Sequence, residues 1–306
     1  MVEVVEKYNI ELLHVHYAIP HAYSALMAKQ MLKAKKINIP VVTTLHGTDI
    51  TLVGSNPPYK IAVEHSINNS DSVTAVSESL KNDTLSLFNI NKSIKVIPNF
   101  VNLEKYLIKS SSKEIFSKKT KIITHVSNFR KVKRVIDVIK IFDGIQKIIP
   151  SKLMMIGDGP EKVNAEKLAR KLGIKNKIVF FGNSNETNKI LSFSDLFLLP
   201  SEIESFGLSA LEAMAARVPV VSSNTGGIPE VNIDNFSGLL SDIGDVKKMI
   251  EDSLHILSND GIHNKFKTNA RNRAKDFDIH NIVPMYESIY NLSLIHISEP
   301  TRRTDI

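Results

Sequence analysis

Short, nearly continuous apolar runs alternate with longer amphipathic stretches along most of the chain. The runs ELLHVHY (11–17), VVTTLHG (41–47), SVTAVS (72–77) and IKVIPN (94–99) read as strands. So do KIITHVSN (121–128), KLMMIG (152–157), KIVFFG (177–182), LFLLPS (196–201), VPVVSS (218–223) and GLL (238–240). Helical stretches of about 10 to 16 residues lie between most of them. Strands apolar on both faces and separated by helices predict parallel sheets covered on both sides, an α/β fold.

One segment breaks the alternation. KYLIKSSSKEIFSKKTK (105–121) is polar, basic and serine-rich, and reads as an interdomain linker. The half after it is a complete doubly wound unit. The half before it has only about four strands. A domain of the usual size needs two more βα units, on the order of 60–75 residues. The first domain is therefore expected to lack its first strands, with Met1 an internal methionine. At the other end, LSLIHISEPTR (292–302) resembles translated sequencing-adapter DNA. Residues 292–306 are expected to be an artefactual tail. No internal repeat is visible.

Composition narrows the classes. A chain of 306 residues, 42% hydrophobic and 23% charged, accommodates roughly two domains. Mean hydropathy is near zero, and no run of about 18 apolar residues predicts a membrane span. The first 17 residues show no leader pattern. There are no cysteines, which excludes disulfides, thiolate metal sites and cysteine nucleophiles and is compatible with a reducing cytoplasm. The formal net charge of +7 points to anionic ligands, or simply to a lysine-rich solvated surface.

The chemistry concentrates in loops after strands. ESFGLSALE (204–212) holds two glutamates eight positions apart. Glu204 precedes a predicted helix and Glu212 lies about one turn inside it. The amides of Phe206, Gly207 and Leu208 open that helix, where partial positive charge favours phosphate. Carboxylates suit vicinal diols, so the set fits a nucleotide sugar: phosphate on the amides, ribose on one glutamate, hexose on the other. The bland alternative is a capping box, Ser209 to Glu212. SNTGGIPEV (223–231) opens a second short helix with Gly226 and Gly227. IGDGP (156–160) contributes Gly157 and Gly159 but lacks the full G-x-G-x-x-G pattern. HVSNFRKVKR (125–134) brings Arg130, Lys131, Lys133 and Arg134 after a strand, where a cation can neutralise a diphosphate leaving group or merely be solvated. In the first half, His14, His16 and His21 invite a metal reading without a clear third-ligand spacing. His46-Gly47-Thr48-Asp49 reads as a loop contacting a polar ligand. DFD (276–278) reads as surface rather than a metal–diphosphate device. No catalytic serine–histidine–aspartate order, P-loop or aromatic–basic ladder for nucleic acid is present.

GDGP, ESFGLSALEAMA and SNTGGIPEV after successive strands resemble the retaining glycosyltransferases marked by a Glu-x7-Glu pair, and the resemblance runs over residues 1–291. It implies the GT-B fold: two doubly wound Rossmann-like domains facing a cleft. Here these are an incomplete acceptor domain over 1–108 and a nucleotide-sugar domain over 109–275, with a helix over 276–291 returning to the first. It implies that Glu212 binds ribose, Glu204 the hexose, and the Phe206, Gly207 and Leu208 amides the sugar and phosphate. Lys133 matches the diphosphate lysine. Asn128 stands where an arginine is frequent, and Arg130 would partly compensate. Gly157 and Gly159 join the donor site, His46 lies near the donor sugar, and Tyr17 and Thr48 lie on the acceptor side. Within the family, LHVHYAIPHA, TTLHGTDIT, SDSVTAVSESL, IPNFVN and HVSNFRKVKR are similar to cytoplasmic enzymes that transfer N-acetylglucosamine from UDP-N-acetylglucosamine to L-malate in bacillithiol biosynthesis. No cofactor and no metal is implied, and neither a nucleic-acid partner nor membrane insertion; homo-oligomerisation stays open. The alternatives are another acceptor (a lipid, an inositol phosphate or a polysaccharide) or a non-catalytic remnant that binds UDP-sugar. The glycine-rich loop that follows the family's first strand is missing, so this polypeptide is expected to be inactive or weakly active.

Overall fold

All ten predicted strands form. The computed structural model describes residues 1–54, 56–106 and 120–298. Most of the expected linker (107–119) and the end of the tail (299–306) lie outside the described residues. The chain divides into two units, Met1–Asn99 together with the segment from His280 onward, and Phe100–Ile279.

In the first unit, β1 (Leu13–His16), β2 (Val41–Leu45), β3 (Ser72–Ala75) and β4 (Ile94–Val96) make a parallel sheet in the order β1-β2-β3-β4. Its helices are α1 (Val2–Tyr8), α2 (Tyr23–Ala34), α3 (Pro57–Asn69) and α4 (Glu78–Leu87). A long helix that begins at the unit boundary packs Ile282, Tyr286 and Ile289 against Val42 and Ile97 of this sheet. It runs from Ile279 to Ser298, so residues 292–298 continue it, and the buried Ser293 bonds Ser72 through their hydroxyls at 2.9 Å.

The second unit holds β5 (Lys121–Val126), β6 (Ser151–Ile156), β7 (Ile178–Gly182), β8 (Leu196–Leu199), β9 (Val220–Ser223) and β10 (Gly238–Ser241). All are parallel, in the order β10-β9-β8-β5-β6-β7. The helices are α5 (Val135–Gln146), α6 (Lys162–Lys171), α7 (Thr187–Ser192), α8 (Leu208–Ala215), α9 (Ile228–Val231), α10 (Val246–Ser258) and α11 (Asp260–Lys275). The long helix of the first unit is then α12 (Ile279–Ser298). One face of the second sheet buries Phe142 of α5, Met249 and Ile256 of α10 and Phe266 of α11 against Ile123, Leu153 and Leu198. The other face buries Ile122, Met154 and Ile156 against Ile190 of α7. Strand order reverses between β5 and β8. In open α/β sheets the loops at such a switch point form the ligand crevice.

Two local expectations are corrected. By packing, the units divide at 99/100 and 279/280, near the expected 108/109 and 275/276. Residues 100–106 stay with the second unit: Val101 donates to the Phe277 carbonyl and accepts from the Ile279 amide, both at 3.0 Å, and Arg271 donates to the Leu103 carbonyl. For the same reason DFD is surface only in part: Asp276 is exposed, but Phe277 is 5% exposed and Asp278 accepts from the Leu103 amide. The capping box does not form. Gly207, at φ +92°, takes the N-cap position of α8, which starts the helix before Ser209 can serve. Among the described residues no helix is long and apolar enough to cross a membrane.

Candidate active site

The loops after β5 and β8 meet at the switch point. The Glu202 amide donates to the Val132 carbonyl at 2.8 Å, tying the loops together. Across this junction Lys133 Nζ donates to Glu204 Oε1 at 2.5 Å, and Ser201 Oγ donates to the same oxygen at 3.0 Å. Their side chains are only 20% and 13% exposed. The lysine run is thus not a uniformly solvated face: Lys133 is held by Glu204, and Arg134 by Asp137 at 2.6 Å, while Arg130 and Lys131 are exposed.

Helix α8 presents its start beside this pair. Its first internal bonds run from the Ala210 and Leu211 amides to the Gly207 carbonyl. Among the described residues nothing accepts from the Phe206, Gly207 or Leu208 amides, so these donors are available to an anion. The Phe206 side chain is buried edge-to-face on Phe277, 5.7 Å between centroids, so only its backbone can meet a ligand. Leu208 is exposed. Glu212, one turn on, is mostly buried, and among the described residues its carboxylate has no hydrogen-bond partner. Burial holds its carboxyl above the usual range. The Tyr106 hydroxyl lies close by, its acidity lowered first by burial and then by the Glu212 charge. A half-buried acceptor without a donor is the chemical complement of a diol.

The glycines serve the scaffold as well as the ligand. Gly157 (φ +119°) and Gly159 (φ +155°) lie against the loop after β5, where an added Cβ would come within 1.8 Å of the Ser127 carbonyl and 2.1 Å of the Asn128 carbonyl. Gly226 and Gly227 press likewise on the Glu204 and Ser205 carbonyls, at 2.0 and 2.3 Å, and the Gly227 amide donates to Glu204 O. Both glycine loops therefore position the backbone that carries Asn128 and Glu204.

His125 was not singled out by sequence, because a histidine inside an apolar strand carries no visible signal. It is fully buried under the same loop. Its Nδ1–H donates to the Leu198 carbonyl (2.9 Å), so Nε2 accepts from the Ser127 hydroxyl (2.8 Å), whose oxygen accepts from the Phe129 amide. Burial pushes its imidazole down to about 4.

In the first unit, His46, Tyr17 and Thr48 come together at the carboxyl ends of β1 and β2. Asp49, 2% exposed, organises them. It accepts from the amides of Ala18 (2.7 Å), Gly47 (2.9 Å) and His46 (3.3 Å). Burial raises its carboxyl while these amides pull it down, with burial the larger. The Tyr17 ring lies 5.0 Å from that of His46, and Thr48 is exposed. The histidines that invited a metal reading are engaged with other groups. His14 bonds the Tyr290 hydroxyl and Thr44 Oγ1, His21 donates to the His16 carbonyl, and His16 bonds His46. Among the described residues no group of three metal-ligating side chains is assembled.

Two predictions arise here. Asp49→Ala is expected to cost about 3 kcal/mol, because three amides lose their acceptor in a buried loop. Urea unfolding checks it, and a loss below about 1 kcal/mol contradicts the assignment. The second is acid sensitivity. Burial holds His14, His46 and His125 at about 4, against roughly 6.5 in the unfolded chain. The unfolded state then binds more protons between these values. The stabilisation is complete above about pH 6.5 and is lost as pH falls through about 4. His125 alone is expected to account for about 2–3 kcal/mol of the loss between pH 7.5 and 4.5. Denaturant midpoints that stay constant over that range, or an equal acid loss in His125→Asn, would contradict it.

The family described as Glycosyl transferases group 1 matches residues 108–273, and that described as Glycosyltransferase Family 4 matches residues 1–105. The chain belongs to the group 1 glycosyltransferases. One relative of this glycosyltransferase is N-acetyl-alpha-D-glucosaminyl L-malate synthase of Bacillus anthracis, 42% identical over 295 residues, covering 95% of this chain and 77% of the relative. Sucrose-phosphate synthase from Thermosynechococcus elongatus superposes with a TM-score of 0.82 at 19% identity, over 97% of this chain and 76% of that one. Anabaena HepE in complex with UDP gives 0.82 at 19% identity, over 95% and 80%. At that identity the likeness is one of fold. The glycosyltransferase is of the GT-B class, with a parallel-sheet α/β architecture in each unit.

Proposed function

We propose that this glycosyltransferase moves N-acetylglucosamine from UDP-N-acetylglucosamine to the hydroxyl of L-malate, with retention at the anomeric carbon, in the cytoplasm as a step of bacillithiol biosynthesis. The relative from Bacillus anthracis, at 42% identity across 95% of the chain, carries the choice of sugar and acceptor. The donor class has independent support from the second unit: open amides at α8, an ion-paired lysine beside them, and an unpartnered Glu212. In this reading the α8 amides and Lys133 take the diphosphate, Asn128 and Arg130 lie at its edge, Gly157 and Gly159 shape the loop beneath it, Glu212 takes the ribose and Glu204 the hexose. Tyr17 and Thr48 take the acceptor, and His46 lies near the sugar.

The bond from the anomeric carbon to the β-phosphate oxygen breaks as the malate hydroxyl bonds the same face of that carbon. The hydroxyl proton passes to the departing phosphate. No side chain needs to act as nucleophile. Lys133 and the α8 amides stabilise the charge that develops on the leaving group. No metal is called for in this scheme.

Calorimetric titration with UDP tests the donor site, and product analysis with L-malate against other hydroxy acids tests the acceptor. Uptake of UDP is expected, with N-acetylglucosaminyl-malate as a slowly formed product. Transfer to another acceptor would replace malate while keeping the donor. Uptake without transfer would make the chain a UDP-sugar-binding protein, and no uptake of UDP would end the proposal.

A further inference from the structure

Three histidines of the first unit, His14, His21 and His46, meet at a fourth, His16. Residues of β1 alternate between faces, so His14 and His16 share one side, with ring centroids 4.6 Å apart. His14 is fixed from two directions: Nδ1 bonds the Tyr290 hydroxyl at 2.7 Å and Nε2 bonds Thr44 Oγ1 at 2.8 Å. The His21 ring donates to the His16 carbonyl at 2.7 Å. His16 Nδ1 then meets His46 Nε2 at 2.7 Å, with the two ring centroids 4.9 Å apart. His46 is held on its backbone side by Asp49, and Tyr17 stands against its ring.

We propose that His16 is a positioning residue for His46: its Nδ1 engages His46 Nε2 through one shared proton, fixing the tautomer and plane of that ring and leaving Nδ1 as the single nitrogen with which His46 meets a ligand. Among the described residues nothing bonds His46 Nδ1. Two neutral imidazoles joined this way hold one proton between them, so the tautomer of one sets that of the other. Burial, followed by the neighbouring histidines, keeps both rings neutral near pH 7. His16 is exposed, so its bond contributes little to folding, and its importance lies in what it does to His46. This inference rests on the reading of His46 as a residue near the donor sugar.

The test uses the full chain with 15N-labelled histidine. Wild-type protein is expected to show His46 as one tautomer, with a coupling across the N–H···N bond. His16→Leu keeps bulk without the bond and is expected to give the average of two tautomers. His16→Asn, whose side-chain amide sits where Nδ1 was, is expected to restore a single state. Turnover of UDP-N-acetylglucosamine with malate is expected to fall about tenfold in kcat in His16→Leu, with KM for the donor nearly unchanged, and to recover in His16→Asn. In a His46→Ala background His16→Leu is expected to change nothing further. The same His46 tautomer in wild type and His16→Leu would overturn the proposal. So would an altered tautomer with unaltered turnover, or an undiminished effect of His16→Leu when His46 is absent. Should wild-type protein take up no UDP, the functional reading fails, while the spectra still decide whether His16 sets the His46 ring.

Discussion

Glu204→Gln is expected to tighten the binding of UDP, by about threefold to tenfold, whereas Lys133→Ala is expected to weaken it by about tenfold to a hundredfold. The opposite signs follow from one contact. Lys133 Nζ is engaged by Glu204 Oε1 at 2.5 Å, with both side chains largely withdrawn from solvent. A diphosphate that recruits this lysine must compete with the carboxylate and sit beside its negative charge. Glutamine keeps the shape and an oxygen for the Ser201 hydroxyl but gives up the charge, so the ammonium is released to the phosphate. UDP carries no hexose, so it isolates this effect. With the full sugar nucleotide the gain is expected to shrink or reverse, because the hexose loses its carboxylate partner. In the Lys133→Ala background, Glu204→Gln is expected to tighten UDP binding less than in wild type, since only charge repulsion is relieved. Calorimetry at low ionic strength reads all four proteins. Weaker UDP binding by Glu204→Gln would show that the carboxylate holds the nucleotide itself.

Gly157→Ala is expected to remove more than about 4 kcal/mol of stability, a large part of the usual 5–15 kcal/mol total. A methyl group there would lie 1.8 Å from the Ser127 carbonyl, at φ +119°. Backbone cannot give way as a side-chain tip can, so the loops after β5 and β6 must part. Loss of UDP uptake is expected with it, because the loop after β5 leads to Lys133. Gly173 supplies the control. It too has positive φ, +72°, but nothing lies within 4 Å of its missing Cβ. Gly173→Ala is therefore expected to cost only about 1 kcal/mol, the conformational part alone. Urea unfolding of the two variants separates steric exclusion from dihedral strain. Equal losses would mean that the contact with Ser127 is not what demands glycine.

The strands were legible because burial on both faces writes itself as local apolar runs, and a strand between helices needs no distant partner to be recognised. The helix starts and glycine loops were legible for the same reason: turn chemistry is local. The ESFGL and GDGP segments do lie at strand ends, though Phe206 offers only its backbone and Gly157 and Gly159 are required by packing.

What the sequence did not reveal depends on pairs far apart along the chain. Lys133 looked like one of four cations in a basic run until a glutamate 71 positions away, in the loop after β8, met it at the switch point. Asp49 looked like the end of a polar loop until the Ala18 amide, 31 positions earlier, was seen to bond it. His16 and His46, 30 apart, became a pair because β1 and β2 lie side by side in register. By itself, then, the amino-acid order determined which segments become strands, which loops carry acids, glycines and cations, and to which family of enzymes they belong. Which acid holds which cation, which carboxylate stays open and which imidazole sets another's proton were decided by tertiary structure alone. Hydrophobic burial acts on each segment separately, whereas hydrogen bonds and ion pairs exist only between groups that the finished fold has brought within about 3 Å.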